Sequence, residues 1–341
     1  MKAVIMAGGE GRRLRAVSGP VPKPLVPLLG RPMMEHIILL LREQGFRDIC
    51  VSLRYRAEDI ISRFGDGSAL GVRLSYRTEN EPLGTAGGVK NCMDFCGDED
   101  FLVISGDAAC DFDLRLLADK HRKCSADVSI ALYHCSEPLS YGLAVTDSSD
   151  MVRAFVEKPS WSRVVTDLVN TGIYVVSPEA MEKVPENSHF DFADDLFPLL
   201  LNSGRKILGL PMEGYWCDVG CPLSYYKCCA DALEGRFKLS PGEGFRTDSE
   251  KRCQDRPEKC TECLELPCRS RAALMGALSE GLLDIGAEYS DGIHLSGSRF
   301  RMHISPLSEI PALRVAVSSQ DSEYARELAV SAAELINALD L

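Results

Sequence analysis

The chain has 341 residues, a length that predicts two domains, and its 45% hydrophobic and 26% charged residues are typical of a soluble globular protein. The formal net charge of −12 argues against a nucleic-acid partner, because phosphate backbones are bound through clustered basic side chains. No apolar run approaches the ~18–20 residues that a membrane span needs. The apolar core of the N-terminal segment 1–6 is also too short for a signal peptide. We therefore expect a cytoplasmic protein that does not associate with membranes.

Apolar runs alternate with amphipathic stretches through the first part of the chain. The predicted strands are Ala3–Ala7, Asp48–Leu53, Val72–Arg77, Phe101–Ser105 and Asp127–Tyr133. The predicted helices between them are Met33–Gln44, Glu58–Phe64, Ala86–Phe95 and Leu114–Cys124. This alternation predicts an α/β fold with a mostly parallel sheet and helices on both faces. Ligands bind at the carboxyl ends of the strands in such sheets, so functional loops are expected after Met6, Arg77 and Ser105.

The rest of the chain has a looser pattern. Further strands are predicted near Asn170–Val176, Ile207–Leu210 and Tyr215–Asp218, with a closing helix at Leu223–Leu233. Residues 236–270 are rich in charge, Pro, Gly and Cys and have no hydrophobic period, which predicts a linker or insert. Beyond it, the pattern predicts a helix at Arg271–Leu282, strands near Gly292–Leu295, Phe300–Ile304 and Leu313–Ser318, and a final amphipathic helix. The predicted domains are 1–235, 236–270 and 271–341.

Three glycines lie between the first strand and a basic pair. Gly8, Gly9 and Gly11 allow the backbone to approach a polyphosphate closely, and Arg13 can bind phosphate oxygens through two N–H groups. The spacing does not fit the dinucleotide-binding fingerprint, because Leu14 stands where the third glycine is needed. No Gly-Lys-Ser/Thr follows, as a P-loop would require. Taken alone, a glycine-rich loop of this kind is more often a structural turn.

A lysine between two prolines follows, in the segment Pro22-Lys23-Pro24-Leu25. The prolines restrict the backbone and present the Lys23 cation at low entropic cost, although a surface lysine is the alternative. Together with the glycine loop, this segment resembles the signature of the sugar-phosphate nucleotidylyltransferase family, G-G-x-G-T-R-L followed by P-K-P. The resemblance is closest to the mannose-1-phosphate guanylyltransferases that carry a phosphomannomutase-like C-terminal extension. Arg12 departs from it, since the family usually has Thr there.

The segment Glu79–Gly88 resembles the base-reading loop of the family, followed by a helix. The resemblance implies that Glu79, Gly84 and Thr85 bind the nucleotide and that the helix N-terminus lies near phosphate. The Glu79 carboxylate could accept hydrogen bonds from the N1–H and amino group of guanine. Taken alone, the same stretch is equally a turn before a capped helix.

Two aspartates at predicted strand ends resemble the magnesium ligands of the family. They are Asp107, in Ser105-Gly106-Asp107, and Asp218, in the segment 214–220. Proteins commonly bind Mg²⁺ through one or two carboxylates together with substrate phosphates. The implied cofactor is therefore Mg²⁺, whereas an isolated aspartate at a strand end more often caps a helix.

A third group of segments resembles the sugar-phosphate site of the family. Lys158, in Glu157-Lys158-Pro159, is implied to bind the phosphate, although a charged turn is the alternative. The segment 191–198 resembles the helix beside the site, with Asp194 where Lys or a polar residue is usual. The implied sugar-binding residues are Glu157, Asn170, Thr171 and Gly172.

The resemblance implies a Rossmann-like mixed sheet with flanking helices, of the nucleotide-diphospho-sugar transferase type. The implied reaction joins a nucleoside triphosphate to a sugar 1-phosphate and releases pyrophosphate, with GTP and mannose 1-phosphate giving GDP-mannose. Arg13, Lys23 and Lys158 are the implied catalytic residues. We expect small-molecule substrates and a homo-oligomer. The alternatives are the synthesis of another NDP-hexose or NDP-heptose, for example from glucose 1-phosphate, and a non-catalytic subunit that senses sugar nucleotides.

Residues 271–341 resemble, more faintly, the last domain of the phosphohexomutases, a small α+β domain. The phosphate-binding loop of that domain is altered here. Ser305 replaces its Arg, and Leu307, Glu309 and Ile310 replace its Ser, Thr and Glu. A glutamate among phosphate-binding groups is electrostatically unfavourable, so we expect no mutase activity.

Four of the 14 cysteines are clustered in the predicted insert, at Cys253, Cys260, Cys263 and Cys268. Four thiolates can bind Zn²⁺ and order a segment that lacks a core. The central C-x2-C fits a zinc site, whereas the outer spacings do not. A redox pair and free thiols are the alternatives.

Overall fold

The computed structural model describes residues 1–11, 14, 21–135, 138–158, 164–238, 260–267, 288–289, 293–296, 300–306, 312–319 and 321–339. Residues 1–11 and 21–238 belong to one compact unit, and residues 260–339 belong to a second. Several predictions lie outside the described residues: the helix Arg271–Leu282, the basic pair Arg12 and Arg13, Cys253 and Cys268, and the residues Leu307, Glu309 and Ile310 of the altered loop.

The first unit contains thirteen strands among its described residues. They are β1 (Ala3–Ala7), β2 (Pro27–Leu28), β3 (Arg31–Pro32), β4 (Asp48–Leu53), β5 (Arg73–Thr78), β6 (Phe101–Ser105), β7 (Ala108–Cys110), β8 (Val128–His134), β9 (Leu143–Thr146), β10 (Val152–Val156), β11 (Leu168–Val176), β12 (Ile207–Pro211) and β13 (Trp216–Asp218). The predicted bounds of β1, β4 and β6 are confirmed without change.

The α-helices of this unit are α1 (Met33–Glu43), α2 (Ala57–Phe64), α3 (Gly84–Lys90), α4 (Met93–Cys96), α5 (Leu114–Cys124), α6 (Pro178–Met181), α7 (Phe197–Asn202) and α8 (Pro222–Leu233). One helix was predicted where α3 and α4 lie. The chain tightens there, with the Cys92 N–H donating to the Val89 carbonyl, and this i→i+3 bond ends α3. In the part of the chain that the structure describes, no helix is long and apolar enough to cross a membrane.

Nine of these strands form one mixed sheet. Its main order is β10-β9-β11-β6-β1-β4-β5, and β8 pairs with both β11 and β12. The neighbours β6, β1, β4 and β5 are parallel, whereas β11 runs antiparallel to β6 and β8. Parallel strands end at the same edge, so the loops after Ala7, Leu53, Thr78 and Ser105 leave the sheet together. The loops for which a function was predicted therefore lie at one edge of the sheet.

Helices cover both faces of this sheet because alternate residues of each strand point to opposite sides. In β1, Ile5 packs in the cluster that contains Ile37 of α1. The neighbouring Val4 packs in the opposite cluster, with Val89 of α3. Helices from both sides therefore hold the sheet and the loops at its edge in place.

The described residues of the second unit form a five-stranded antiparallel sheet and one helix. Its elements are β14 (Cys260–Pro267), β15 (Glu288–Tyr289), β16 (Ile293–Ser296), β17 (Phe300–Pro306), β18 (Ala312–Ser319) and α9 (Ser322–Leu339). The strand order is β14-β18-β17-β16-β15. Ala325, Ala329 and Ile336 of α9 pack with Val315 and Val317 of β18 in one buried cluster. The predicted small α+β domain is therefore present.

The strand β14 lies within residues 236–270, where the absence of a hydrophobic period predicted a linker or insert. It pairs along its whole length with Ala312–Ser319. Leu264 and Leu266 pack against the core of the sheet, and Glu265 between them is exposed and bonds to Arg314 at 2.8 Å. The alternation of buried and exposed side chains covers only a few residues. The surrounding Cys, Pro and charged residues made it hard to recognise in the sequence. The predicted insert therefore overlaps the second unit from residue 260.

Candidate active site

Lys23 lies between two carboxylates at the edge of the sheet. Its ammonium donates to Asp107 Oδ2 at 2.5 Å and lies 3.6 Å from Asp218 Oδ1. The lysine side chain is 11% exposed, whereas those of Asp107 and Asp218 are 31% and 35% exposed. The cation is thus largely enclosed, and the two carboxylates still face solvent in part.

A short β-ribbon brings the two aspartates together. Strands β7 and β13 pair antiparallel, with Asp218 opposite Ala108. The Val219 N–H also donates to the Asp107 carbonyl at 3.2 Å. Because Asp107 follows β6 directly, the ribbon places Asp218 at the carboxyl edge of the parallel strands.

The surroundings of Asp107 favour its charged form. Burial by itself would raise the pKa of the carboxyl group, but the charge of Lys23 and hydrogen bonds from Lys23 and Ser105 outweigh it. The net result is a pKa below the ordinary value for aspartate. Asp107 is therefore ionised at neutral pH, as a metal ligand or a partner of a cation must be.

The glycine loop packs against this cluster. Gly11 has a φ of +61°, and a β-carbon there would lie 2.9 Å from Cβ of Lys23. The position therefore requires glycine both for its backbone angle and for its close approach to the lysine. Gly8 lies near the Glu79 carboxylate and Arg54, whereas the exposed Gly9 has open space around it.

Glu79 connects three parts of the crevice. Its Oε1 accepts a hydrogen bond from the buried Ser52 hydroxyl at 2.8 Å, and its Oε2 accepts from the Leu83 N–H at 3.2 Å. A β-carbon on Gly88 would lie 2.5 Å from Oε1, and one on Gly8 would lie 3.4 Å from it. The glutamate therefore holds the loop before α3 against β4 and the glycine loop.

The first turn of α3 is closed by the protein itself, which corrects the prediction of a phosphate there. The Thr85 N–H and hydroxyl both donate to Asp191 Oδ1 at 2.8 Å. The Ala86 and Gly87 N–H groups both donate to the Phe190 carbonyl at 2.9 Å. These donors are not available to phosphate, because a carboxylate and a carbonyl already occupy them. Thr85 thus acts here as an anchor for the segment 190–192.

Gly84 allows this closure. Its φ is +73°, and a β-carbon at this position would lie 2.7 Å from the Phe190 carbonyl oxygen. Asp191 also groups with His189 and Asp195, with one ligand atom of each within 4.8 Å of the others. Asp191 already accepts two hydrogen bonds from Thr85. We therefore interpret this group as part of the contacts that hold the first turn of α3.

Lys158 lies at the outer side of the site. Its side chain is 69% exposed, and its ammonium lies 3.6 Å from Glu157 Oε1. The Lys158 N–H donates to the Tyr141 carbonyl at 3.2 Å. Glu157 lies over Gly142, where a β-carbon would be 2.5 Å from Oε2. The pair therefore presents an exposed cation and a carboxylate beside Tyr141 and Gly142.

The strand β11 is irregular where it carries three predicted sugar-binding residues. The Asn170 Oδ1 accepts from the Gly172 N–H at 3.0 Å, and the pairing with β8 shifts after Asn170. Gly172 lies against Ser105, the residue that bonds to Asp107. Thr171 corrects the prediction, because its residue is 3% exposed and its hydroxyl donates to the Ala131 carbonyl at 2.7 Å. Thr171 therefore supports the strand rather than facing a sugar.

Tyr141 and Trp216 form an aromatic wall that the sequence analysis did not identify. Their rings meet edge to face with centroids 5.2 Å apart, and the Trp216 Nε1–H donates to the Thr171 carbonyl at 3.2 Å. Burial, followed by the negative charge of Asp218, raises the pKa of Tyr141. The aspartate is thus near the side chain of Tyr141, the residue whose backbone carbonyl accepts from the Lys158 N–H. A tyrosine followed by Gly142 in an apolar run was the available signal in the sequence.

The predicted site residues discussed here therefore form one cluster of contacting side chains, with Glu79 and Lys158 on opposite sides of it. Lys23, Asp107 and Asp218 are in contact with one another. Glu79 flanks the cluster on the side of β4 and the glycine loop. Lys158 flanks it on the other side, through Tyr141.

The cysteine cluster is described only in part. Cys263 is exposed, and Cys260 begins the regular strand β14. Cys253 and Cys268 lie outside the described residues. Zinc binding at these four cysteines stays a prediction.

Known proteins resemble the first unit along most of its length. A family model described as "Nucleotidyl transferase" matches residues 2–235. The chain is 36% identical over 251 residues to a UTP–glucose-1-phosphate uridylyltransferase of Synechocystis sp., covering 70% of this chain and 65% of that protein. It is 35% identical over 245 residues to a mannose-1-phosphate guanylyltransferase of Mycobacterium tuberculosis, covering 72% of this chain and 67% of that protein. The matched segments thus span about two thirds of each relative.

A solved structure shows the same fold. The crystal structure of HddC from Yersinia pseudotuberculosis complexed with GMP-PN has a TM-score of 0.59 and 32% sequence identity, covering 68% of this chain and 99% of that one. The match of the family model to residues 2–235 covers more than half of the chain, including the Lys23, Asp107 and Asp218 cluster. The chain therefore belongs to the nucleotidyl transferase family.

Proposed function

We propose that the chain transfers a nucleotidyl group from a nucleoside triphosphate to a sugar 1-phosphate and releases pyrophosphate. The observation that carries this proposal is the contact of one enclosed lysine, Lys23, with two carboxylates, Asp107 and Asp218, beside the glycine loop. A cation and two carboxylates at the edge of a parallel sheet can hold a polyphosphate with its divalent ion. Both named relatives in the family carry sugar-phosphate nucleotidyltransferase names.

The donor set fits Mg²⁺. Asp107 and Asp218 both contact the same ammonium nitrogen, so their oxygens are close enough to share a cation. Carboxylate oxygens are the ligands that this ion prefers, and both side chains are partly open to solvent. When bound, Mg²⁺ would neutralise phosphate charge at this position.

The residues of the chain supply positioning and further positive charge. Lys23 is held rigidly by Asp107 and Pro24, and it would stabilise the negative charge that builds up on the α-phosphate. Lys158 would orient the phosphate of the sugar, and Arg13 with the backbone of residues 8–11 would hold the departing pyrophosphate. The attacking oxygen belongs to a phosphate that is already anionic, so the reaction needs no general base.

We infer that mannose 1-phosphate and GTP are the preferred substrates. Glu79 supports guanine, because a carboxylate can accept from the N1–H and amino group that guanine presents side by side. The related structure complexed with GMP-PN and the guanylyltransferase relative are consistent with this choice. Glucose 1-phosphate with UTP is the second candidate, because the uridylyltransferase relative is equally similar. A homo-oligomer and a cytoplasmic location stay predictions from the sequence.

A panel of nucleoside triphosphates against sugar 1-phosphates, followed by pyrophosphate release, tests the proposal. We expect turnover with Mg²⁺ and a loss of at least ~10²-fold in kcat for Lys23→Ala or Asp107→Asn, the scale of losing one preorganised charge partner. Lys183→Ala, which changes an exposed lysine elsewhere in the unit, is the matched control. If neither site variant loses activity, or if the wild type turns over no pair, the assignment is wrong.

A further inference from the structure

We propose that Ser52 is a positioning residue that fixes the carboxylate of Glu79 and thereby sets selectivity for guanine over other bases. This inference rests on the proposed function and names a determinant of its nucleotide specificity. It concerns a residue that would not itself touch the substrate.

The hydroxyl of Ser52 is buried and directed at Glu79. Ser52 lies one residue before the end of β4 and is 2% exposed. Its Oγ donates to Glu79 Oε1 at 2.8 Å. A hydrogen bond from a neutral hydroxyl to a carboxylate is among the stronger side-chain interactions, and burial reduces the competition from water.

The carboxylate is also held at its other oxygen. The Leu83 N–H donates to Oε2 at 3.2 Å. Gly88 packs directly against the hydrogen bond between Ser52 and Glu79. A β-carbon at position 88 would lie 2.5 Å from Oε1 and 3.1 Å from Ser52 Oγ. Each oxygen of Glu79 therefore has one fixed donor, and the plane of the carboxylate is set by the protein.

As far as the described residues go, one acceptor position stays on each oxygen, because each carboxylate oxygen can accept two hydrogen bonds. Guanine offers an N1–H and a 2-amino group side by side, which matches two parallel acceptors. Uracil and thymine offer a single N–H flanked by two carbonyl oxygens, and a fixed carboxylate repels those carbonyls. A Glu79 carboxylate with a fixed plane therefore accepts hydrogen bonds in defined directions, which favours guanine over bases that lack the 2-amino group.

Without the Ser52 hydroxyl, the longer bond from Leu83 is the one that the described residues still give to the Glu79 side chain, which can then rotate. A rotated carboxylate would still attract the N1–H but would no longer meet the 2-amino group in line. We therefore expect Ser52→Ala to lower selectivity for the 2-amino group, while sugar-phosphate use stays unchanged.

The comparison of GTP with ITP isolates this group, because the base of ITP differs only by lacking the 2-amino group. We expect wild-type kcat/KM to favour GTP over ITP by roughly 10- to 100-fold, the scale of one hydrogen bond to a charged group. Ser52→Ala should reduce this ratio by about fivefold or more. Ser52→Cys, which keeps the volume and a weak donor, should give an intermediate ratio.

Ser129→Ala is the matched control. Ser129 is 0% exposed, lies on β8 of the same sheet, and its hydroxyl is within 2.8 Å of His121 Nδ1. Both alanine variants lose a buried serine hydrogen bond, so thermal unfolding should show similar losses of stability. Only Ser52→Ala should change the GTP/ITP ratio.

A double-mutant cycle with Glu79→Gln tests whether Ser52 acts through Glu79. We expect Ser52→Ala to leave the ratio unchanged in the Glu79→Gln background. A wild-type ratio in Ser52→Ala, or an equal change in Ser129→Ala, would overturn the inference while nucleotidyl transfer stands. Absence of turnover with every triphosphate would instead overturn the proposed function.

Discussion

Gly11 and Lys23 touch, with no room for a side chain between them: a β-carbon at position 11 would lie 2.9 Å from the Cβ of Lys23. The glycine loop and the lysine segment are therefore packed as one piece. The same lysine extends to Asp107 and Asp218. The position of the loop thus determines how far the ammonium enters the site.

Gly11→Ala tests this coupling. The substitution adds strain at a φ of +61° and forces Lys23 away from the loop. We expect kcat to fall at least ~10-fold, because a displaced ammonium loses its alignment. Gly204→Ala is the matched control, since Gly204 has a φ of +70° with no atom within 4 Å of its β-carbon position. Gly204→Ala carries the same kind of backbone strain, about 1 kcal/mol, without the clash, so it should lose some stability but no rate.

Acid should weaken the Lys23–Asp107 pair. The folded chain lowers the pKa of Asp107, so its carboxylate stabilises the fold above the unfolded pKa of about 3.9. This stabilisation is lost as the pH falls through the lowered pKa. We expect Asp107→Asn to reduce the free energy of unfolding at pH 7 by about 1–3 kcal/mol. In urea titrations the difference from wild type should shrink below pH 4, whereas Asp98→Asn, at an exposed position, should show no such trend.

The two hydrogen bonds from Thr85 to Asp191 should stabilise the segment Glu79–Gly88, which we propose reads the base. Asp191→Ala removes the acceptor of two hydrogen bonds at the start of α3. We expect a loss of about 1–2 kcal/mol in unfolding free energy and a higher KM for the triphosphate. The neighbouring exposed Asp194→Ala should leave stability within about 0.5 kcal/mol of wild type. Equal stability of the two variants in denaturant titrations would contradict this role.

Lys158 should affect binding of only one substrate. Its side chain is 69% exposed and lies next to Glu157. We expect Lys158→Ala to raise the KM for sugar 1-phosphate at least ~10-fold, with the KM for the triphosphate and the melting temperature nearly unchanged. Initial-rate kinetics with each substrate varied in turn would measure this split. If only the KM for the triphosphate rose, Lys158 would bind the triphosphate rather than the sugar 1-phosphate, and this prediction would be wrong.

The sequence was most informative where one local pattern determined one element. The strands β1, β4 and β6 are mainly apolar runs followed by glycines or polar loops, and their bounds agree with prediction. The contact of Lys23 with Asp107 and Asp218 was also expected, because all three follow from the resemblance to a family with these motifs.

Other features depend on contacts between distant segments, which local patterns do not contain. The closure of α3 by Phe190 and Asp191 comes from a loop about a hundred residues away, so Thr85 looked available for a nucleotide. The burial of Thr171 depends on its pairing with Ala131. The wall formed by Tyr141 and Trp216 likewise joins the loop before β9 to strand β13, two segments that only the fold brings together.

Strand β14 determines where this chain can be cut. It forms an edge of the second sheet and supplies the partner for all of β18. A fragment that starts at residue 271 would leave β18 paired with β17 alone and would expose the apolar strand β18 as a new edge, which can recruit other chains into aggregates. A fragment that begins before residue 260 retains β14 as the native partner of β18. We expect this fragment, and not one that starts at residue 271, to stay monodisperse.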